Sequence, residues 1–492
     1  MPARVLEISV IDSTVCIREN ISPAPYAVLS YCWGGPQRIT LTNSRRNLGG
    51  WTIPQETLPL TIQDAVRVVR QLGLKYIWVD SLCIIQDDEA DMATQIGKMA
   101  NIYQQSYVAI SASRSAGAEE GFLHPRFPFG AAKSSMGFQL PYRTRDGQTG
   151  SAIIIEEDVS TEYINPLRKR GWAFQEFILS PRIIDYGQLG TTWICQDTET
   201  HTDGFSCPPP TVWSRRKFHV MESEIEKPAD PNIAKNSADR LDFLHKLWTV
   251  IVQQYMKGAL TCFNDRLPGL GGIAERMSYH LEDDYVAGGW RKCIWESLVW
   301  HNENGREWNR LPGYFAPSWS WASIPDGDIG FISTNHSFAD EGLKVLTCQV
   351  EPVNQEAKYG AVKSGFLEVR GRVLTARYTH DRNSPGPDAN SITFDDVGSF
   401  PPDIRDCGLY LDAIVMEAQE GEITLWLLCV CWDHKRNKMS GIFLRQLRDG
   451  TYIRWGLFSL NPTVTLKEDE ARHLDLHAEW RSSIPTRTLT IV

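Results

Sequence analysis

The sequence predicts an α/β fold at the N-terminus, with a mostly parallel sheet flanked by helices, then a helical connector and a β-rich C-terminal region. Within residues 26–196, short and nearly continuous apolar runs alternate with helical patterns, which is typical of buried parallel strands joined by helices. Residues 236–300 keep helical spacing, and from Gly365 onward most segments have the apolar pattern of strands. These three observations define the predicted fold class.

The chain is long for a single hydrophobic core. Its 492 residues favour several domains. We predict an N-terminal domain at 1–205 with its motifs between 26 and 196, a proline-containing linker at 206–235, a helical and tryptophan-rich region at 236–325, and a β-rich region at 326–492.

Composition argues against several classes of protein. The formal net charge of −10, with no dense Lys/Arg block, disfavours a nucleic-acid-binding protein. The longest apolar run, residues 423–432, is about half of a membrane span. The N-terminus lacks a signal-peptide pattern, and the 11 cysteines fall mostly in apolar runs without a CxxC pair. We therefore expect a cytoplasmic protein with reduced thiols, no zinc ribbon and no membrane attachment.

The first motif-like block combines a strand with a glycine turn. Residues 27–31 have a strand pattern and are followed by the turn at 32–35. In open α/β sheets, ligands bind where strands end, and the glycine pair lets the backbone approach a ligand closely. Residues 61–72 then predict a helix, with Thr61 as the N-cap and Gly73 as the stop.

A second buried strand is predicted at 74–80, and it ends on an acid. Asp80 lies where the strand should meet the cleft, whereas Asp87 and Asp88 are expected to cap the next loop or the helix predicted at 91–105. Residues 107–112 predict a third buried strand. This order of elements predicts a sheet with helices on both faces.

The central stretch, residues 170–187, reads RGWAFQEFILSPRIIDYG. It predicts a helix that ends at Ser180-Pro181 and is followed by a strand at 182–186. Trp172 and Glu176 lie four residues apart and therefore share one helix face. A carboxylate on such an apolar helix requires a partner or a function. The structural alternative is a core helix in which Glu176 pairs with Arg168 or Arg170.

Several blocks in this chain resemble the HET family, the fungal heterokaryon-incompatibility domain. The resemblance rests on YAVLSYCWG (26–34), LPLTIQDA (58–65), YIWVDSLCIIQDD (76–88), QIGKMANIY (95–103), GFL (121–123) and RGWAFQEFILSPRI (170–183). Three later blocks, at 265–274, 285–290 and 316–323, resemble the segment that often follows HET domains. The resemblance implies a role in self/non-self recognition or cell-death signalling.

HET domains are thought to be distant relatives of TIR domains, some of which cleave NAD with the glutamate of a Trp-x-x-x-Glu pattern. The resemblance thus implies a TIR-like fold, NAD as a substrate, and no bound cofactor or metal. Glu176 would be the ribose-binding catalytic carboxylate, with Asp80 as a second acid. The expected substrate-binding residues are Tyr31, Trp33, Cys83, Gln95, Arg170 and Trp172. Another protein, or self-association of the chain, would be the trigger.

Two other functions remain open at this point. A small-molecule enzyme built on the same fold could use Cys83 as a nucleophile, but its base would have to come from afar because the first histidine is His124. His473 and His477 have the spacing of helical metal ligands, yet without a third ligand we expect surface residues. A pure interaction protein could recruit a partner at the edge strands of the C-terminal region.

Overall fold

The computed structural model divides the chain into two compact units, Met1–Lys227 and Pro228–Val492. It describes residues 1–9, 12–46, 51–125, 137–144, 146–155, 165–188, 190–195, 199–201, 237–303, 313–324, 327–332, 337–379, 392–394, 408–412, 422–433, 438–460 and 480–492. The predicted linker at 206–235 and the histidines His473 and His477 lie outside these residues. The predicted four-part division therefore stays a prediction.

A mixed sheet organises the N-terminal unit. Its strands are β1 (Arg4–Ile8), β2 (Thr14–Glu19), β3 (Tyr26–Ser30), β4 (Thr52–Pro54), β5 (Tyr76–Trp78), β6 (Val108–Ser111), β9 (Arg182–Tyr186), β10 (Thr191–Cys195) and β11 (Glu199–His201). A separate hairpin consists of β7 (Gly137–Arg143) and β8 (Thr149–Ile155). Among the described residues, nine strands form the sheet in the order β11-β10-β9-β6-β3-β5-β1-β2-β4.

Parallel pairing is confined to the centre of this sheet, which corrects the prediction of a mostly parallel one. Strand β3 pairs in parallel with β5 and β6, and β6 pairs in parallel with β9. The flanking strands β1, β2 and β4 on one side, and β10 and β11 on the other, pair antiparallel. Short connections such as β1–β2 and β9–β10 allow only antiparallel neighbours, whereas the helical crossovers permit parallel ones. A TIR-like topology remains a prediction.

Helices of this unit are α1 (Asn43–Arg46), α2 (Leu60–Gln71), α3 (Asp80–Cys83), α4 (Glu89–Gln104) and α5 (Gly171–Leu179). The N-cap of α2 is Pro59 and not Thr61, because Thr61 lies inside the first turn and its hydroxyl bonds Gly117 and Gly121. The predicted stop is confirmed, since Gly73 has φ +71°. Asp88 caps α4 as predicted, accepting from the backbone N–H groups of Ala90 and Asp91.

The C-terminal unit begins with the predicted helices, α6 (Ser237–Met256), α7 (Pro268–Leu281) and α8 (Ile294–Leu298). Two short antiparallel sheets of two strands each accompany these helices. One pairs β12 (Tyr285–Val286) with β13 (Gly289–Trp290), and the other pairs β14 (Trp300–Asn302) with β15 (Ile329–Phe331). The apolar-polar alternation of residues 317–323 is typical of a strand and predicts one, but this prediction is wrong because Trp321–Ser323 forms a 3₁₀ turn. Its serines bond backbone groups instead: the Ser320 hydroxyl accepts from the nearby Ala322 N–H and donates to the more distant Ala287 O, and the Ser323 hydroxyl donates to Ser320 O.

A second sheet confirms the predicted β-rich region. Its strands are β16 (Ser337–Ala339), β17 (Lys344–Pro352), β18 (Val362–Thr379), β19 (Ile392–Phe394), β20 (Gly408–Leu411), β21 (Glu422–Asp433), β22 (Lys438–Gln446), β23 (Tyr452–Leu460) and β24 (Thr486–Ile491). Pairing runs from β18 through β21, β22, β23 and β24 back to β18, so these strands form a closed circuit. Phe443, Trp455 and Phe458 belong to its buried apolar core.

Candidate functional site

The ends of the central parallel strands carry the motif blocks. Strand β3 runs into residues 31–35, β5 is followed by α3, and β6 is followed by residues 112–121. The loops after β3 and β6 are in direct contact at Gly34, where φ is +72° and an added Cβ would lie 2.6 Å from Gly117 Cα. Glycine is therefore required at this position. The contact fixes the loop that carries Tyr31 and Trp33.

Glu176 lies on α5 with its carboxyl turned into the protein. The residue is 9% exposed, and its Oε2 atom accepts a hydrogen bond from the Ser30 hydroxyl at the end of β3. Burial raises the pKa of Glu176 to about 7, against the opposing effects of the Arg170 charge and the Ser30 hydrogen bond. This carboxyl therefore titrates much closer to neutral pH than an ordinary glutamate does.

Asp80 is the second acid of the cluster, at the first residue of α3. One of its oxygens accepts from the Trp33 indole N–H at 2.8 Å, and the other accepts from the backbone N–H of Ser81 at 2.7 Å. Burial raises the pKa of Asp80, while the Arg170 charge and the Trp33 hydrogen bond oppose the rise. Asp80 thus joins the loop after β3 to the turn after β5.

Arg170 supplies the positive charge between the two acids. It immediately precedes α5, and its guanidinium donates to the backbone carbonyl of Tyr31. Burial works to lower the pKa of Arg170, but the charges of Glu176 and Asp80 outweigh it, so the pKa rises. The Tyr31 hydroxyl donates to the Ser81 hydroxyl at 2.9 Å, and burial together with Asp80 raises its pKa.

Five of the predicted site residues therefore form one cluster, here called the acid cluster: Tyr31, Trp33, Asp80, Arg170 and Glu176. It contains two carboxyl groups and one guanidinium, so with both acids ionised it carries a net charge of −1. Trp172 is half-buried on the first turn of the same helix as Glu176.

Cys83 and Gln95 have other surroundings. The Cys83 sulfur lies 3.5 Å from the Val79 backbone N–H, and burial raises the pKa of its thiol to about 12. A thiol held protonated in this way is unsuited to act as a nucleophile. Gln95 is buried and donates to Asp91, 3.4 Å away, which in turn accepts from Arg4. These two residues secure the turn and the helix that follow β5.

Two features of the site escaped the sequence argument. Glu176 accepts a hydrogen bond from the Ser30 hydroxyl, and the Tyr103 hydroxyl also lies beside its carboxyl. Arg168, named as one structural partner for Glu176, forms an ion pair with Asp185 of β9 at 2.8 Å. The available signal for Ser30 was a polar residue at the end of an otherwise apolar strand, YAVLS. A buried polar side chain of this kind requires a hydrogen-bond partner.

Within the described ranges, the structure contains neither a cluster of metal-binding side chains nor a membrane-spanning helix. No group of three or more His, Cys, Asp or Glu side chains there could hold a metal ion. In the same part of the chain, no helix combines the length and apolar character needed to cross a bilayer.

Comparison with known families identifies the motif-bearing part of the chain. Residues 26–176 match the family model described as Heterokaryon incompatibility protein (HET). The family predicted from the motifs is thereby confirmed over these residues, which include every member of the acid cluster. No curated protein and no solved structure matches the chain.

Proposed function

We propose that the chain acts in fungal self/non-self recognition or cell-death signalling, and that its N-terminal unit does so by cleaving NAD. The observation that supports cleavage best is the acid cluster itself. A buried carboxyl with a pKa near 7 shares one guanidinium with a second carboxyl at the ends of parallel strands. Perturbed acids at this edge of a sheet are typical of ligand-binding and catalytic sites.

Splitting the bond between nicotinamide and ribose suits a cluster with excess negative charge. As the bond between ribose C1′ and the nicotinamide nitrogen breaks, its electron pair leaves with nicotinamide and positive charge develops on the ribose. Glu176 would accept hydrogen bonds from the ribose hydroxyls and stabilise that charge. A water oxygen then bonds to C1′, and its proton passes to Glu176 or to solvent, giving nicotinamide and ADP-ribose.

The aromatic side chains of the cluster are placed for the nicotinamide ring. Trp33 is half-buried, and its hydrogen bond to Asp80 holds the indole beside an acid. A cationic nicotinamide ring stacks favourably on an electron-rich indole. Trp33 and Trp172 would form the walls of the site, with Asp80 and Arg170 orienting Glu176 and the substrate.

Access to Glu176 supports a triggered activity. The residue is 9% exposed, so its carboxyl is almost closed to solvent. Substrate entry therefore requires a conformational change, and a ligand or partner that favours the open state would switch the activity on. A second protein, or association with another copy of this chain, would supply that trigger in the cytoplasm.

NAD turnover by purified protein tests the proposal. Wild type, Glu176→Gln and the surface control Glu56→Gln would be assayed at high protein concentration with a crowding agent, after circular dichroism has shown that all three are folded. We expect nicotinamide release by wild type and Glu56→Gln, and its loss in Glu176→Gln.

Other outcomes of this assay would redirect or reject the proposal. Release by all three proteins would place catalysis on another group, and Asp80→Asn would be tested next. No nicotinamide release by any of the three proteins, all of them folded, would contradict NAD cleavage by the chain alone. It would instead favour a non-catalytic interaction module or a different substrate.

A further inference from the structure

A small cavity lies behind Glu176, between α5 and the strands β3 and β6. Its polar lining consists of Ser30, Ser111, Arg168 and Glu176, and apolar side chains complete it. The volume available to water centres is about 10 Å³, which corresponds to about one water molecule. Ser30 and Ser111 are register partners on neighbouring parallel strands, so their hydroxyl groups lie side by side in this wall.

The hydrogen-bond directions around the cavity are fixed by two carboxylates. On one side, the Ser30 hydroxyl donates to Glu176. On the other side, the Ser113 hydroxyl donates to Asp185, whose second oxygen accepts from Arg168 at 2.8 Å. Because Ser113 donates its only hydroxyl proton to Asp185, the Ser113 oxygen must accept a hydrogen bond from the Ser111 hydroxyl, 2.9 Å away.

Both serine hydroxyls on the cavity wall are therefore acceptors towards its interior. Ser30 has given its proton to Glu176, and Ser111 has given its proton to Ser113. An anion would face the Glu176 carboxyl and add a further acceptor, while the Arg168 charge is already paired with Asp185. An apolar group would leave two buried oxygens with unused capacity. A single water molecule brings two O–H donors and fits the volume.

We propose that this cavity binds one water molecule, which connects the Ser30–Glu176 pair to the Ser111–Ser113–Asp185 chain, and that the chain positions the Glu176 carboxyl. Ser111 is then a positioning residue, since it acts on Glu176 through the water and Ser30. The consequence for NAD cleavage rests on the function proposed above. The water and its effect on Glu176 can be measured without any substrate.

Such a chain accommodates both protonation states of Glu176. When the carboxyl is ionised, it accepts from Ser30, and the water donates to Ser30 and Ser111. After protonation, Glu176 donates to the Ser30 oxygen, Ser30 turns its proton to the water, and the water still donates to Ser111. Every buried group keeps a partner in both states. The other titratable or charged groups that face Glu176 are Cys32, Asp80, Tyr103, Arg168 and Arg170.

The test is a ¹³C NMR titration of the Glu176 carboxyl in full-length protein, assigned with Glu176→Gln. Ser111→Ala removes the acceptor next to the water, and Ser113→Ala breaks the chain one step further on. Ser115→Ala is the matched control, because Ser115 is also buried but donates to Gly121 O outside the cavity. The Ser111 and Ser113 variants should raise the Glu176 midpoint by about half a pH unit or more, because the water is no longer held as a donor to Ser30 and the Ser30 hydroxyl becomes a weaker donor to the ionised carboxylate. The control should leave it unchanged.

A high-resolution crystal structure of wild type provides the second arm, with one ordered water expected within hydrogen-bond distance of both serine oxygens. An empty cavity, or a midpoint in Ser111→Ala equal to that of Ser115→Ala, would overturn the proposal. Melting curves identify a variant that fails to fold, in which case Ser113→Ala and the crystal structure decide. A wild type that shows the water and the shifts but releases no nicotinamide would reject the proposed function alone.

Discussion

Two buried groups of charges, one in each unit, have opposite designs. In the C-terminal unit, Arg454 is fully buried and donates to Asp412 through Nε at 2.7 Å and through a terminal nitrogen at 3.2 Å. Its terminal nitrogens also donate to the carbonyls of Leu298 and Trp300, and its guanidinium lies 3.6 Å from the centre of the Trp300 ring. One positive charge meets one negative charge. The acid cluster of the N-terminal unit instead sets two acids against one base.

The difference teaches how to separate structural from functional charge. A matched, fully hydrogen-bonded pair such as Arg454–Asp412 joins elements of the fold and offers nothing to a ligand. An unmatched carboxyl whose pKa is raised to about 7 by burial lowers stability in its ionised form. Retaining such a group is typical of sites that bind or transform a substrate.

The largest expected effect comes from breaking the matched pair. Arg454→Met leaves Asp412 as an uncompensated buried carboxylate and removes two carbonyl partners as well. We expect the free energy of unfolding of the C-terminal unit to fall by about 3–5 kcal/mol. Urea unfolding of the full chain measures this loss.

The double variant Arg454→Met/Asp412→Leu sharpens the interpretation. Removing both charges should recover a large part of the lost stability, because the penalty arises from the unpaired carboxylate. A double variant as unstable as Arg454→Met would show instead that the lost carbonyl contacts and packing, not the charge, explain the effect.

The unmatched acid should behave in the opposite way. The pKa of Glu176 in the folded protein is about 7, against 4.5 for the ordinary side chain. Between these values the folded state binds more protons than the unfolded state, so stability falls as pH rises through this window and stays low above it. The glutamine in Glu176→Gln does not ionise, so this variant does not lose stability as pH rises through the window. Its free energy of unfolding should exceed that of wild type by about 3 kcal/mol at pH 8, with no such gain at pH 4.

Urea unfolding of wild type and Glu176→Gln at pH 4 and pH 8 checks this sign. Glu56→Gln, an exposed acid of the same unit, is the control and should show no comparable dependence. Equal stabilities of wild type and Glu176→Gln at both pH values would contradict a raised pKa in the folded protein. Combined with lost NAD turnover, the gain in stability would mark Glu176 as a residue kept for function.

A third variant makes the acid cluster still less balanced. Arg170→Gln removes the charge that lowers the pKa values of both Glu176 and Asp80. We expect the Glu176 midpoint to rise by about one pH unit or more, and the acid limb of any NAD cleavage should shift to a correspondingly higher pH, because Glu176 acts in its ionised form. NMR titration of Glu176 measures the first effect. An unchanged midpoint would mean that Arg170 serves only to hold the Tyr31 carbonyl.

Sequence reasoning identified the parts of the site that lie at strand ends and on a strongly patterned helix. Asp80, Arg170 and Glu176 follow from the apolar runs beside them, because a polar residue in such a context is conspicuous. Their surroundings could not be predicted, since Ser30 meets Glu176 and Arg168 meets Asp185 only through the order of the sheet. The antiparallel flanks were missed for a similar reason, because β2 and β4 acquire their register from pairing rather than from apolar pattern. The serine-rich block at 317–323 shows that side-chain bonds to local backbone can override alternation.

The smallest expected effect concerns the indole that joins the two loops of the acid cluster. Trp33→Phe keeps an aromatic ring but removes the N–H that donates to Asp80 at 2.8 Å. We expect a loss of about 1 kcal/mol in unfolding free energy at pH 8 and a higher pKa of Asp80, because its ionised form loses a donor. Trp51→Phe is the control, since Trp51 is a half-buried tryptophan of the same unit that packs under Arg45, outside the cluster. If both variants lose the same stability and the Asp80 titration does not move, the indole acts through packing alone, and the link between the loops rests on the Arg170–Tyr31 and Gly34–Gly117 contacts.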